Sequence, residues 1–415
     1  MLCHWVYNIM GVPFIMRERV VITGLGVFCG AGQDIPRFRT AIIEGKSGVG
    51  PVDLFDVARF PSRIAVQVKG FDPAARFGSR KAAKLSRADQ FGLIAAGEAL
   101  NDSGISENYD PYSVGVIVGA GAAGMFQSEQ WLDAALHDRA ASPSLLRGIL
   151  PDKTATVIAS EFGFAGYQGT ITTACSSSAT AIGWGADLVA SGRLDAVVCG
   201  GSDTLSMLTF AGFNSLKVVD PEPCAPFSLG RQGITLGEGA AFIVLERESA
   251  ARLRGARIYG SVLGYAMAGE AHHMTAPDPT GQVAARLMHA AMAAAGVAKE
   301  EIGWVNAHGT GTPLNDVVES NVIKLVFGEQ AAGVPLVSTK PVTGHCLGAA
   351  GAIEAVATVL ALGERMIPKT LHFRGRDPEC DLDYCHGGAR ATTATTAISN
   401  SFAFGGNITS LVLSL

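Results

Sequence analysis

Two kinds of apolar run alternate along the chain. The first kind is short and unbroken by strong polar residues: RVVITGLGVFCG at 19–30, VGVIVGAG at 114–121, DAVVCGGSD at 195–203 and GAAFIVLERE at 239–248. Runs of this length that are apolar on successive positions predict strands covered on both faces. The second kind is longer and rich in alanine, as in TAIGWGADLVASG up to Gly192, and predicts buried helices closed by a C-terminal glycine. Residues 36–111 read as loop and helix, and VGVIVGAG is followed by a loop, AAGMF. Around Arg252–Arg257 the chain turns basic and polar, and a second series begins at IYGSVLGYA. It runs through a helix at 281–296, IGWVNAHGT, a helix around 317–327, VPLVSTK, a helix at 347–363, and the closing pair ATTAISNSFAFGG and ITSLVLSL. Strand, loop and helix thus recur in both parts, and alternation of this kind predicts stacked α/β layers. Counting back from Gly192 and Gly363 places Cys175 opposite Cys346, Ala179 opposite Ala350 and Ala181 opposite Ala352, which points to an internal duplication.

Composition narrows the class. A chain of 415 residues exceeds one ordinary domain, so two domains or one duplicated architecture are expected. Charged residues make up 17% against 48% hydrophobic, a sparse charged surface that fits a chain burying area in an oligomer. The net charge of -5 argues against nucleic acid as a partner, and no apolar run reaches the length of a membrane span. Eight cysteines without a CxxC pair or metal-ligand spacing suit a reducing cytosol better than a disulfide framework. The opening MLCHWVYNIMGVPFI has neither a basic n-region nor a cleavage site, so residues 1–16 read as an extension with no assigned function. The glycines of RVVITGLGVFCG do not make a dinucleotide fingerprint, because the third is misplaced and no helix follows at once.

Candidate chemistry sits at three glycine-rich strand ends. Cys175, in TTACSSSA, falls where the strand GYQGTIT gives way to the first turn of a helix. Unpaired N–H groups and the helix dipole there are expected to favour thiolate over thiol. A buried, inert cysteine is the plain alternative. His308 follows an apolar run in VNAHGTGTPLND at 305–316, and Lys340 and His345 lie in STKPVTGHCLGAAGAIE at 338–354. One histidine is more often structural than catalytic; a turn cysteine with two such histidines is a much rarer coincidence. Upstream, Arg76, Arg80, Lys81, Lys84 and Arg87 cluster with little acid nearby, and helical spacing would set Arg80, Lys84 and Arg87 on one face.

These motifs, in this order over nearly the whole chain, resemble the β-ketoacyl-acyl-carrier-protein synthases, the condensing enzymes of fatty acid and polyketide synthesis. The resemblance implies the thiolase-like five-layer αβαβα fold built from two similar halves, 17–255 and 256–415. It implies a decarboxylative Claisen condensation in which Cys175 accepts an acyl chain from acyl carrier protein, and His308 and His345 support the attack of malonate-derived carbanion. Backbone N–H groups of Cys175 and Phe404 would stabilise the oxyanions. By the same resemblance Lys340 holds the histidine region, Glu354 supports Lys340, and Phe404 gates the acyl pocket beside Phe402. Thr275, Thr310 and Thr312 line the pantetheine tunnel, Ala122 in the loop Gly119–Met125 borders the acyl pocket, and Arg80, Lys81 and Lys84 receive the acidic carrier protein.

No cofactor is implied beyond the carrier's phosphopantetheine, and the implied assembly is a cytosolic homodimer or a heterodimer with a ketosynthase-like chain-length partner. Departures from the family pattern are Ala403 for glycine in the phenylalanine loop, Asn407-Ile408 for threonine-asparagine, and Ser228 and Gln232 in PFSLGRQG for aspartates. Asn306, Glu319, Glu354 and Ser399 match residues around a family cation, which Ile408 puts in doubt, so no metal is expected. The rival within the family is a type II polyketide or aryl-polyene ketosynthase working with a chain-length-factor-like partner. A degradative thiolase would need a second catalytic cysteine near GGNITS; an initiating synthase would carry asparagine at His345; a non-catalytic partner subunit would lack Cys175.

Overall fold

The computed structural model describes residues 18–415 apart from residue 141; the extension at 1–16 lies outside the described residues. Ten strands form one sheet: β1 Val20–Cys29, β2 Val114–Gly119, β3 Gln168–Ile171, β4 Ala196–Asp203, β5 Gly239–Arg247, β6 Gly260–Gly269, β7 Trp304–Asn306, β8 Leu336–Val337, β9 Thr396–Phe402 and β10 Asn407–Ser414. Their spatial order is β8-β7-β9-β10-β6-β1-β5-β4-β2-β3. The order is the same in both halves when read outward from the centre, with β1 matching β6, β2 matching β7, β3 matching β8, β4 matching β9 and β5 matching β10. Pairing directions repeat as well: β2 is parallel to β3 and β4, β7 to β8 and β9, and β5 and β10 run antiparallel to their neighbours. The halves join where Val20–Ile22 of β1 pairs with Gly260–Val262 of β6.

Alternation along the strands sorts side chains into layers. In β4, Val197 and Cys199 enter the inner core with Ile117 of β2. Ala196 and Val198 face the outer core with Val116 and Val118. Two helices fill the space between the half-sheets, α4 (Ser177–Ala190) and α8 (Ala350–Gly363). Ile182, Val189, Val356 and Leu360 from them pack in one cluster with Ile243 and Leu245 of β5 and Leu411 and Leu413 of β10. Outer helices cover the other faces: α1 (Arg87–Ser103) and α3 (Lys153–Phe162) on the first half, α6 (Gln282–Ala295) and α7 (Pro313–Phe327) on the second. The result is the five-layer thiolase-like arrangement. Two further helices matter for the site, α2 (Met125–Leu136) and α5 (Met207–Ser215). Met125 opens α2, so the loop expected through MF ends two residues earlier than that reading, at Gly124.

The duplication is present, but its register is two residues from the sequence count. A short 3₁₀ turn precedes each central helix, Ala174–Ser176 before α4 and Leu347–Ala349 before α8. Ala174 and Leu347 hold matching left-handed φ values of 51° and 50°. Cys175 is therefore opposite Gly348, and Cys346 is opposite Thr173. The glycine count failed because Gly192 lies beyond the end of α4, whereas Gly363 is the last residue of α8.

The basic stretch is also arranged differently. The helix carrying Arg80 stops at Ala82, and a Ser86–Asp89 capping box starts α1 at Arg87. Arg87 does not share a face with Arg80 and Lys84: it is buried and paired with Glu238 at 2.5 Å.

Candidate active site

Close packing at the strand ends builds the nucleophile turn. A Cβ on Gly119 at the end of β2 would lie 2.2 Å from the Ser178 nitrogen, so only glycine lets the start of α4 press onto the sheet. Thr173 N–H donates to the Ser177 hydroxyl at 2.9 Å and the Ser176 hydroxyl to the Thr173 carbonyl at 2.8 Å, so the hydroxyls of CSSS hold the turn from within. Cys175 is 6% exposed at its apex. Burial pushes its thiol up to about 11, against the opposing pull of the Lys340 charge and of the Phe404 N–H bonded to the sulfur. The expected resting thiolate is thus corrected. The helix start does not offset desolvation of the sulfur, and the cysteine rests as a thiol.

The histidines occupy the second half's strand ends. The rings of His308 and His345 are 5.4 Å apart at 85°. Burial, and then the charge of Lys340, holds both imidazoles well below their ordinary range, so they are neutral. Their hydrogen bonds choose the tautomer. Leu347 N–H donates to Nδ1 of His345 at 3.1 Å, and the Lys340 ammonium, which can only donate, sits 3.3 Å from Nδ1 of His308. Each ring therefore carries its proton on Nε2, and the pair offers two uncharged N–H donors.

Lys340 is itself 1% exposed and has no donor to spare: Nζ reaches His308 Nδ1, the His308 carbonyl at 2.5 Å and Glu354 Oε1 at 2.5 Å. Glu319 on α7 accepts the N–H groups of His308 and Gly309 at 2.7 and 2.8 Å, and burial pushes its carboxyl up to about 7. On this frame the residues matched to a cation meet as neighbours, Asn306 Nδ2 donating to the Glu354 carbonyl and Ser399 Oγ. Asn306 Oδ1 and Glu354 Oε2 lack a partner. Both Glu319 oxygens accept N–H groups and Lys340 meets the Glu354 charge, and among the described residues no group of three or more His, Cys, Asp and Glu side chains is placed to hold a metal ion.

Cys175, His308, His345, Phe402 and Phe404 line one cavity of about 260 Å³, together with Thr275, Thr310 and Thr312. The Thr310 and Thr312 hydroxyls are 2.9 Å apart. Phe404 begins a turn through Gly405 and Gly406, and its ring stacks on Phe213 of α5 at 5.6 Å. Ala403 sits in extended backbone, φ -128°, which accepts a side chain without strain. Ile408 lines the same cavity. Ala122 lies outside that lining, packed against the apolar group of Leu205, Phe210 and Leu347. Arg80 and Lys84 are exposed and do not line the cavity, and Lys81 is paired with Glu161 at 2.5 Å.

Sequence reasoning passed over Phe213, Asp316 and Asp203. Asp316 on α7 accepts the N–H of Phe227 at 2.7 Å and of Gly311 at 3.2 Å, bracing the HGTGT loop. Asp203 ends β4, where it gathers backbone N–H groups from two loops. Its signal was legible: an acid closing an apolar strand, at the carboxyl end where α/β sheets place their sites.

Comparison with known proteins agrees with this geometry. The model "Beta-ketoacyl synthase, N-terminal domain" matches residues 17–251 and "Beta-ketoacyl synthase, C-terminal domain" residues 259–374. A 3-oxoacyl-acyl-carrier-protein synthase 2 of Coxiella burnetii is 38% identical, over 96% of this chain and 99% of its own length. A solved chain of the ishigamide ketosynthase/chain length factor superposes with TM-score 0.92 at 35% identity, covering 96% of this chain and 99% of that one. A type II polyketide synthase structure, of an acyl-carrier protein in complex with its ketosynthase bound to the hexaketide, gives TM-score 0.87 at 30% identity, over 96% and 100%. The chain belongs to the β-ketoacyl synthase family.

Proposed function

We propose that this member of the β-ketoacyl synthase family is an elongating β-ketoacyl-acyl-carrier-protein synthase, a carbon–carbon bond-forming acyltransferase. The observation that carries the reading is the pair of neutral imidazoles, each with Nδ1 occupied and Nε2–H free, sharing a cavity with Cys175. In the first step the Cys175 sulfur attacks the thioester of an acyl carrier protein. The oxyanion is held by backbone N–H groups, Phe404 N–H among them, and the carrier thiol leaves with the proton that Cys175 gives up. Malonyl carrier then enters. Loss of carbon dioxide leaves an enolate whose oxygen takes the two Nε2–H bonds of His308 and His345, and its carbon attacks the acyl-cysteine. Collapse expels the Cys175 thiolate, which takes a proton from water to return to the resting thiol, and yields a β-ketoacyl carrier two carbons longer.

Neutral donors suit this work because they stabilise charge where it develops and bind the resting substrate less tightly. No redox or one-electron step is needed, so the only prosthetic group in the scheme is the carrier's phosphopantetheine. Lys340 acts behind His308, fixing its tautomer, and Glu354 accepts a hydrogen bond that holds the ammonium in place. Thr310 and Thr312 offer hydroxyls to the amides of the pantetheine arm, and Ala122 borders the inner end of the acyl pocket. The site works in the cytoplasm, on a chain that among its described residues has no helix long and apolar enough to cross a membrane.

Likeness to a ketosynthase/chain length factor favours a second reading: a polyketide or polyene ketosynthase paired with a chain-length partner. One experiment separates the two. Purified alone, the protein is incubated with malonyl carrier and acyl carriers of several lengths, and products are read by mass spectrometry. Elongation by the chain alone supports the first reading. Elongation only after a partner subunit is added supports the second, and no elongation in either condition defeats both.

A further inference from the structure

We propose that Asp203 is a positioning residue that ties the acyl-pocket loop to the histidine turn, so that acceptance of long chains and the malonyl step depend on one carboxylate. Its Oδ1 accepts the N–H groups of Ala122 and Ala123 at 2.8 and 2.7 Å, and its Oδ2 those of Gly121 and Gly348 at 2.8 and 2.6 Å. The first three belong to the loop that borders the acyl pocket. The fourth follows Leu347, whose own N–H sets the His345 tautomer. Both loops carry a non-glycine residue in left-handed backbone, Ala123 at φ 43° and Leu347 at φ 50°. Such conformations persist only when surrounding bonds over-determine them, and at both places one of those bonds ends on Asp203. The carboxylate is fully buried, and burial pushes it up to about 6 even with four N–H donors holding it down. A group kept there at that cost has no apolar packing to justify it.

This inference rests on the elongation reading above, and the test keeps the two apart. Asp203→Asn keeps the shape and loses one acceptor oxygen. In wild type and variant, acylation of Cys175 by short and long acyl carriers and decarboxylation of malonyl carrier are measured separately. The expected result is a long-to-short kcat/KM ratio lower by roughly tenfold and decarboxylation lower by roughly tenfold, with short-chain acylation within about threefold. If Asp203 acts through the histidine turn, adding Asp203→Asn to His345→Ala should cost no further decarboxylation. Equal losses at every chain length, unchanged rates, or a full additional loss in the double variant overturn the inference. A wild type that neither acylates nor decarboxylates overturns the function instead. Should Asp203→Asn fail to fold, hydrogen exchange in wild type decides. Peptides covering 120–124 and 347–349 should change protection together when a long acyl chain occupies Cys175, and independent changes overturn the coupling.

Discussion

The two turns at the centre of the molecule share a backbone and divide the chemistry. Ala174–Ser176 and Leu347–Ala349 have matching strained entries, each leads into a central helix, and their N- and C-terminal caps repeat within a few tens of degrees. The first presents Cys175 to the cavity. At the matching place the second has Gly348, where a Cβ would lie 2.5 Å from the Gly121 nitrogen and 2.6 Å from Asp203 Oδ2. A nucleophile cannot be carried there, because the carboxylate and the pocket loop already fill the space. What the second turn supplies is an N–H for His345, set three residues before Gly348. Duplication produced two equal platforms, and close packing around one of them left a single turn free to hold sulfur.

The comparison breaks most completely at the sulfur. Cys175→Ala should fold, since alanine fits the small-residue surroundings, and should show no acylated enzyme in intact-protein mass spectra. A persisting acyl adduct would move the nucleophile elsewhere. Next come the donors of the second half. His308→Ala and His345→Ala should retain acylation of Cys175 while elongation falls ~100-fold, the scale of losing a hydrogen bond made in the transition state. Wild-type elongation in both variants would return the rings to a structural role.

The protonation state of the sulfur sharpens the contrast further. With the thiol pushed up to about 11, the thiolate fraction grows with pH across the neutral range. Alkylation of Cys175 by iodoacetamide should therefore rise roughly tenfold per pH unit from 7 to 9. A rate already level at pH 7 would show that the first turn stabilises thiolate after all. The histidines, held well below their ordinary range, should not impose a loss of elongation as pH falls from 8 to 6.5.

Much of this was legible before the fold, and the failures have physical reasons. Strand ends and central helices follow from periodicity and from glycine at strand termini, whereas the meeting of Cys175, His308 and His345 in one site was implied by the family resemblance of their motifs. The thiolate expectation failed because a helix start is a weak local field, whereas desolvation of a sulfur that is 6% exposed depends on everything folded around it. Arg80, Lys84 and Arg87 looked like one face because spacing cannot show that Ser86 and Asp89 would cap a new helix between them. Asp203 was passed over because its four donors come from residues at least eighty positions away in either direction.

The smallest expected effect lies on the outer surface, where the halves differ in charge. The outer helix of the first half, α1, is approached through Arg80, Lys81 and Lys84, whereas its counterpart α6 is approached through 271–281, which carries Asp278 and no lysine or arginine. An acidic carrier protein should therefore dock by the first half. Lys81 contributes least, since its charge is already met by Glu161, and an exposed pair of that kind is worth roughly 0–1 kcal/mol. Replacing Arg80 and Lys84 with glutamate should raise KM for acyl carrier protein a few-fold with a smaller change in kcat, and Lys81→Glu alone should do less. Because attraction between exposed charges is screened over ~10 Å at 0.1 M salt, the wild-type KM should climb with ionic strength and that of the double reversal should not. Equal salt dependence in both proteins would mean that the carrier approaches by another face and that Arg80 and Lys84 serve only solubility.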